Sequence, residues 1–482
     1  VQTRNNMRSL RNACRHKLNW RNGAYALLLL SVSTAVALQA QTFTVLHSFD
    51  GTDGEIPSAG LVQATNGFLY GTTEAGGGGT ADICINGGSD GCGTVFKITL
   101  SGTLTKLYSF DFTDGGGPTG LIQATNGDLY GAAEIGGANE TGTVFKISPS
   151  GTLTTVYSFP QEYGDLAYPT ATLVQATNGD FYGATNFGNV ETVFNMTPGG
   201  TTTVLGYVSD GFASQALVQA SNGLLYGTSQ GGGNYTNCRY GCGTVYEITL
   251  SGTLTTLYSF AGTDDGAVPV GLVQATNGDF YGTTQNGGTA VDGYGTVFKI
   301  TPSGTLTTLH SFDSTDGSNP IAGLIQASDG NLYGTTSSGG ANGYGTVFEI
   351  TPGGTLTTVY SFDSTDGFDP TGLVQATNGD FYGTMEGGGA NGDGTVFSLS
   401  LGLGPFVETQ TTFGKVGGVV KILGTDLTGA TSVRFNGTAA AFTVVSSSLI
   451  TATVPTGATT GFVTVVTPSG SLKSNTKFTV TR

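Results

Sequence analysis

Beyond residue 40 the chain is written in short apolar runs separated by Gly, Asn, Asp, Ser and Pro, and none of it keeps the 3.6-residue apolar spacing of a helix. One phrase dominates. "GLVQATNGDFYGT", Gly271–Thr283, has close copies beginning at Gly60, Gly120, Thr172, Ala216, Gly323 and Gly372, at an average interval near 52 residues. Each copy opens a unit of four strand-like segments. In the unit from Gly271 these are "GLVQAT", "FYGTT", "GTVFKIT" and "TLTTLHSF". Asn-Gly joins the first two, because a two-residue hairpin turn needs positive φ at both positions. A Gly-rich stretch joins the second and third, and Ser-Gly the third and fourth.

Four antiparallel strands recurring seven times predict a seven-bladed β-propeller; a parallel β-helix is the alternative. The ends are complementary. "TFTVLHSF" (Thr42–Phe49) is a fourth strand without its blade, and "GTVFSLS" (Gly394–Ser400) is a third strand with no fourth after it. Together they complete one blade, so the ring is predicted to close through the N-terminal strand, leaving no open sheet edge. The tyrosines of the second strands (Tyr70, Tyr130, Tyr182, Tyr226, Tyr281, Tyr333, Tyr382) read as inter-blade core rather than as a binding platform.

This strand order fixes two faces. One carries the tight first and third turns. The other carries the long, variable second connections (Glu74–Gly91, Gln230–Gly241, Gln285–Gly293) and the linkers between blades, so ligand recognition is expected there. The third unit departs from the pattern. Its long loop is shortened to "NFGNVETVF", Glu191 stands where Gly is usual, and "DGFASQ" replaces the usual linker. A notch beside this unit, with Glu191, Tyr235, Arg239 and Tyr240, is the candidate ligand-binding place.

After the linker "LGLGP" the last 78 or so residues alternate apolar and polar positions through several short strands, which predicts a small immunoglobulin-like sandwich. The expected domains are a signal peptide (1–40), the propeller (41–402) and the sandwich (403–482). The signal reading rests on Arg8, Arg11, Arg15, Lys17 and Arg21 before an apolar run from Ala24 to Leu38, too short to span a bilayer. Cleavage removes six basic residues and no acidic ones, taking the net charge from −16 to −22. So acidic a chain repels nucleic acid and anionic membranes. It is expected to be secreted or held at the cell surface, monomeric, without membrane insertion, and to meet an extracellular glycan or protein.

Four cysteines follow the signal, as "CINGGSDGC" and "CRYGC" in the same slot of two repeats. Local disulfides Cys84–Cys92 and Cys238–Cys242 are expected, a four-thiolate zinc site being the rival. The linkers repeat Asp-x-Thr-Asp-Gly at Asp50/Asp53, Asp111/Asp114, Asp313/Asp316 and Asp363/Asp366, with Asp264/Asp265 as a variant. Asp and Gly build such turns unaided; calcium is the alternative and the one cofactor considered. No catalytic residue is assigned. His47 and His310 occupy the Tyr slot of the "YSF" strand, and "GTSQG" (Gly227–Gly231) lacks the strand-to-helix setting of a nucleophile elbow. A carbohydrate-active hydrolase or lyase with an acidic pocket is the alternative to a non-enzymatic binder.

Two resemblances add to this. The phrases "LVQATNG", "LYGTT", "GTVFKIT" and "LHSF" resemble the GloVer tandem-repeat family of exported bacterial proteins, over Gly60 to Ser400, and imply no activity. The tail phrases "ILGTDL", "SVRFNG", "ITATVPTGATTG" and "KFTV" resemble the IPT/TIG domain family, which implies a spacer or interaction module. The family's anchored members suggest surface attachment, which a chain ending at Arg482 in a predicted sandwich strand is not expected to share.

Overall fold

The computed structural model describes residues 41–78, 84, 91–160, 166–188, 190–208, 216–289 and 293–481. The expected signal peptide, the segment "DGFASQ" and parts of two long loops lie outside these residues. All regular structure among the described residues is β. Seven four-stranded antiparallel sheets make the blades of a β-propeller. In the first, Val62–Gln63 pairs with Leu69–Thr73, which pairs with Thr94–Ile98, which pairs with Leu104–Ser109. One sheet combines both ends of the repeat region, with Thr42–Ser48 antiparallel to Thr395–Ser400.

The repeated phrase is legible in this packing. Its Tyr is buried in all seven blades and lies against the next blade. Tyr130 stacks on Phe181 at 4.2 Å between centroids, and Tyr226 and Tyr333 meet Phe280 and Phe381 at 4.2 and 4.5 Å. Each such ring buries roughly 150–250 Å². At six of the seven junctions the Phe ending the fourth strand meets the Phe of the next blade's third strand edge to face, as in Phe110–Phe145 and Phe312–Phe348. The Gly of each Tyr-Gly leaves room for that third-strand Phe. At Gly131 an added Cβ would lie 2.6 Å from the Phe145 ring.

The Gln of "LVQAT" staples the ring. Each Gln side-chain oxygen accepts the backbone N–H of the Thr or Ser that follows Gln-Ala in the preceding blade: Gln123 from Thr65, Gln175 from Thr125, Gln219 from Thr177, Gln274 from Ser221, Gln326 from Thr276, and Gln375 from Ser328, at 2.8–2.9 Å. The seventh bond runs from Thr377 N–H of the last blade to Gln63 of the first, at 2.9 Å. Each Gln amide also donates to the carbonyl of its own hairpin glycine, as Gln175 does to Gly179 at 3.0 Å. Half-buried in six blades and buried at Gln375, this amide has both ends bonded, and it ties neighbouring blades in register. At the waist, glycines at the start of the phrase let inner strands approach. A Cβ on Gly271 would meet the Gly323 Cα at 3.3 Å.

The last nine strands, Val407–Thr409 through Gly470–Thr481, form one hydrogen-bonded assembly. It has its own core, including Val420, Ile422, Val433, Phe435, Ile450, Val463, Val465 and Phe478. This tail sits on the tight-turn face. Its side chains donate to carbonyls of the first turns of three blades: Ser448 to Thr65, Gln410 to Ala124, Lys421 to Thr125, and Lys477 to Thr276. Phe406 N–H donates to Thr377 O at 3.0 Å, and Thr425 and Thr377 share a hydroxyl bond. The tail thus reaches turns on several sides of the ring and covers that end. Glu408, in the strand between Phe406 and Gln410, has its carboxyl pushed up to about 7 by burial.

Candidate functional site

The opposite face carries the long loops and linkers, and no described residue of the tail is bonded to it. Every exposed large apolar side chain of the described blades lies on it: Val190, Tyr207, Tyr235, Tyr240, Tyr344 and Phe368. Each stands in a second connection, in a linker or at the linker end of a strand. The core rings are committed to neighbouring blades, so the exposed aromatic surface of the described blades is gathered on this face.

The residue that closes each second strand rings the channel mouth on this face. Blades three to six place Asn186, Gln230, Gln285 and Ser337 there; blades seven, one and two place Glu386, Glu74 and Glu134. The three glutamates are close together. Gly117 lies between two of them, and a side chain there would meet Glu134 Cβ at 3.8 Å and Glu74 Cγ at 3.9 Å. Partial desolvation pushes all three carboxyls up, although Glu74 and Glu134 stay largely exposed, and the Glu74 charge adds to it at Glu134 and Glu386. Glu386 is raised furthest, to about 7, by burial and by the nearby charges of Asp369 and Glu74. Asp369 itself is raised by burial. Raised carboxyls clustered in one place mark this as a candidate functional region. No sequence motif flags them; they become visible only when repeats are aligned at the residue after "YG-x-x".

Asp369 also belongs to a second ring, the residues before the linker prolines. Ile56, Tyr168, Val268, Asn319 and Asp369 all have φ between 54° and 60°, and Gly117 takes the same conformation in its blade. The branched Ile56 and Val268 are strained there. Hydrogen bonds hold them. Val268 N–H donates to Cys242 O and Ile56 N–H to Asp393 O, each bond crossing to the preceding blade.

The acidic linkers are built as turns. Asp50 Oδ1 accepts from Thr52 N–H and hydroxyl at 3.0 and 2.6 Å, and Asp53 Oδ1 accepts Asp50 N–H at 3.1 Å. The other Asp53 oxygen meets His47 Nε2 at 2.7 Å. The arrangement recurs with Asp313, Thr315, Asp316 and His310. Tyr108 and Tyr360 replace the histidine and donate to Asp114 and Asp366, while Asp111 and Asp363 accept from Thr113 and Thr365. Tyr258 and Asp265 make the variant pair. The Thr hydroxyls hold Asp50, Asp313 and Asp363 below the usual carboxylate range. Both histidines therefore serve as turn anchors. Among the described residues no three His, Cys, Asp or Glu side chains converge to hold a metal ion.

The four residues of the candidate notch separate. Arg239, Tyr240 and Tyr235 are exposed in the second connection of blade four. Cys238 is bonded to Cys242 and Cys84 to Cys92, so each pair of thiols is internal to its own loop. Arg239 and Tyr240 line a cleft of about 460 Å³ between blades four and five. The guanidinium lies 5.0 Å from the Tyr240 ring centroid. Glu191 does not join them, which corrects its expected place at the surface. It is 0 % exposed, and its Oε1 accepts the Tyr246 hydroxyl of the next blade at 2.9 Å. The physical reason is the shortened loop. Strand pairing continues to Phe187↔Val190, so Glu191 sits in a ladder opposite Asn186, where other blades need a Gly of positive φ. Val208 replaces the usual Phe, and Tyr246 takes the place of the next blade's Phe.

Comparison with known proteins agrees with this architecture. A solved streptogramin B lyase structure is similar, at 17% identity and a TM-score of 0.54, over 76% of this chain and 99% of that one. The virginiamycin B lyase of Staphylococcus aureus is similar at 16% identity and a TM-score of 0.52, over 75% and 99%. At such identities the likeness is one of fold. No curated protein matches the chain. The profile of the Gloeobacter/Verrucomicrobia repeat matches residues 78–264 and 235–444. Seven copies of one four-strand unit, bound by a Gln staple and covering most of the sequence, thus place this chain in the Gloeobacter/Verrucomicrobia repeat family.

Proposed function

We propose that this is a secreted or cell-surface binding protein, non-enzymatic, that recognises a glycan or protein partner through the long-loop face. The observation that carries this reading is the distribution of exposed aromatics. All those of the described blades lie on that face, while the tail covers the other. In this reading the N-terminal strand latches the ring, and the tail is an immunoglobulin-like module of IPT/TIG type that holds the propeller outward. Two loop disulfides suit an exported protein. The test is binding of the mature protein to a glycan array and to extracellular proteins, repeated after shortening Gln230–Gly241. Loss of binding on shortening is expected; undiminished binding would move the site elsewhere.

A second reading has its own observation. Glu74, Glu134, Glu386 and Asp369 crowd the channel mouth with raised carboxyls, and Glu386 near 7 is poised as a general acid or base. This favours a carbohydrate-active hydrolase or lyase acting at that mouth. The similar fold of two solved lyases is compatible with it and adds no residue-level support. New reducing ends or unsaturated sugar products from a polysaccharide panel, lost in Glu386→Gln, would establish it; an unchanged panel would leave the binding reading.

A further inference from the structure

The described lining of the cleft between blades four and five contains a single charged residue, Arg239, and no carboxylate. That is unexpected on a chain with 33 acidic and 17 basic residues. Arg239 is also the only arginine between residues 22 and 433. The rest of the lining is amide, aromatic and small apolar, with Gln230, Asn237, Tyr240, Val268 and Asn286. Its volume, about 460 Å³, lies within the roughly 300–1,000 Å³ usual for ligand pockets.

Arg239 is held in place without its donors being used up. It is bracketed by Cys238 and Cys242, whose disulfide closes a loop of four-residue separation. Backbone bonds fix the same loop: Gly232 N–H to Tyr240 O at 2.9 Å, Gly241 N–H to Cys238 O at 3.1 Å, and Cys242 N–H to Asn234 O at 3.0 Å. Asn237 ties it to the linker through Ala261 O at 2.7 Å. The Tyr240 ring supports the guanidinium by its face. No ion pair with a described carboxylate engages it: the two ion pairs found among the described residues are the His–Asp contacts of the linkers. In the adjoining linker, Asp265 already accepts from the Tyr258 hydroxyl and Ala261 N–H. A planar donor fork, pre-positioned and unopposed by acid, is the arrangement that recognises a carboxylate by paired hydrogen bonds.

Resting on the binding reading above, we infer that this cleft recognises an acidic sugar residue of a polysaccharide, a uronic acid. Its carboxylate pairs with Arg239, and Gln230 and Asn286 offer amides to its hydroxyls. The ring of positions at the channel mouth fits this orientation. Blades seven, one and two carry Glu there, whereas blades four and five carry Gln230 and Gln285. An anionic ligand is thus repelled from the acid arc and accepted on the amide arc.

The test is calorimetric titration of the full mature protein with trigalacturonate and with its neutral methyl ester. The acid is expected to bind at least about tenfold tighter than the ester, equivalent to about 1.4 kcal/mol, and more weakly as salt rises. Arg239→Gln is expected to remove that preference, so that acid and ester bind alike. Arg434→Gln, in the tail, should change neither. Cys238→Ser with Cys242→Ser should weaken acid binding several-fold by loosening the loop. Equal affinity for acid and ester, or a preference that survives Arg239→Gln, overturns the inference. So does no binding of trigalacturonate. If the protein then still retains a neutral glycan or a protein through the long-loop face, the broader reading stands without this one.

Discussion

Replacing Gln375 with Leu tests what the repeated phrase is for. Gln375 is 6 % exposed, and Leu keeps much of its bulk while deleting the amide. Three bonds go: Ser328 N–H to Oε1 at 2.8 Å, Nε2–H to Gly379 O at 3.0 Å, and Nε2–H to Ser328 Oγ at 3.1 Å. The Ser328 N–H of the preceding blade is left part-buried without its acceptor, which costs about 1–3 kcal/mol. The lost donor bonds add about 1 kcal/mol, because a carbonyl and a hydroxyl tolerate losing a partner more easily. The expected loss is therefore about 2–4 kcal/mol in urea unfolding followed by far-ultraviolet circular dichroism, with the denaturant slope unchanged. Gln219→Leu, which breaks the more exposed bond between blades three and four, should cost less, about 0.5–1.5 kcal/mol. A loss below about 0.5 kcal/mol at both positions would refute the staple and reduce the conserved spelling of the phrase within this chain to packing alone.

Four further outcomes are expected. Glu191→Ala and Tyr246→Phe should each destabilise by about 1–3 kcal/mol, and the double variant by clearly less than their sum, since one buried bond joins them; strict additivity in a thermal-melt cycle would contradict the pair. Glu386 and Glu408 are both raised from 4.5 to about 7, so the folded chain holds their protons more tightly than the unfolded chain. The stability they contribute is full below about pH 4.5 and is lost as pH rises toward 7. Glu408→Gln with Glu386→Gln should flatten the melting temperature over that window; an unaltered pH profile would show that neither is raised. Millimolar Ca²⁺ should leave the melting temperature unchanged, because the linker aspartates already accept hydrogen bonds from Thr, Tyr, His and backbone N–H groups; an upward shift abolished by Asp313→Asn would reinstate calcium. Removing residues 403–482 should leave a folded propeller whose hairpin carbonyls at Thr65, Ala124, Thr125 and Thr276 become accessible, read as faster exchange of the neighbouring turns; collapse of the β signal would show that the tail is part of the propeller's core.

The blades were legible because their signals are local. Six Asn-Gly pairs and one Asp-Gly, each between two apolar runs at one period, leave few architectures, although the turn itself is a three-residue loop with positive φ only at its Gly, as at Gly67, and not the expected two-residue turn. The tyrosines were legible for the same reason, repetition at a position where only burial explains an aromatic. The Gln staple was not. Its partner is a backbone N–H some fifty residues earlier, and a single Gln on an inner strand gives no hint of it. Glu191 misled because one residue in an altered repeat looks like an exposed novelty. The shortened loop instead extends the ladder and turns the side chain inward, where Tyr246 has replaced Phe to meet it. The glutamates of the channel mouth were hidden among many acids. Each is unremarked in its own repeat, and only the ring brings Glu386, Glu74 and Glu134 onto neighbouring blades.

The claim that ligand recognition belongs to the long-loop face is tested most directly by hydrogen exchange of the mature protein, with and without a glycan it retains on an array. Protection confined to peptides from the second connections and linkers, strongest around Cys238–Cys242, is the predicted result. Protection of the "ATNG" hairpins or of the tail, with the long-loop peptides unchanged, would contradict it.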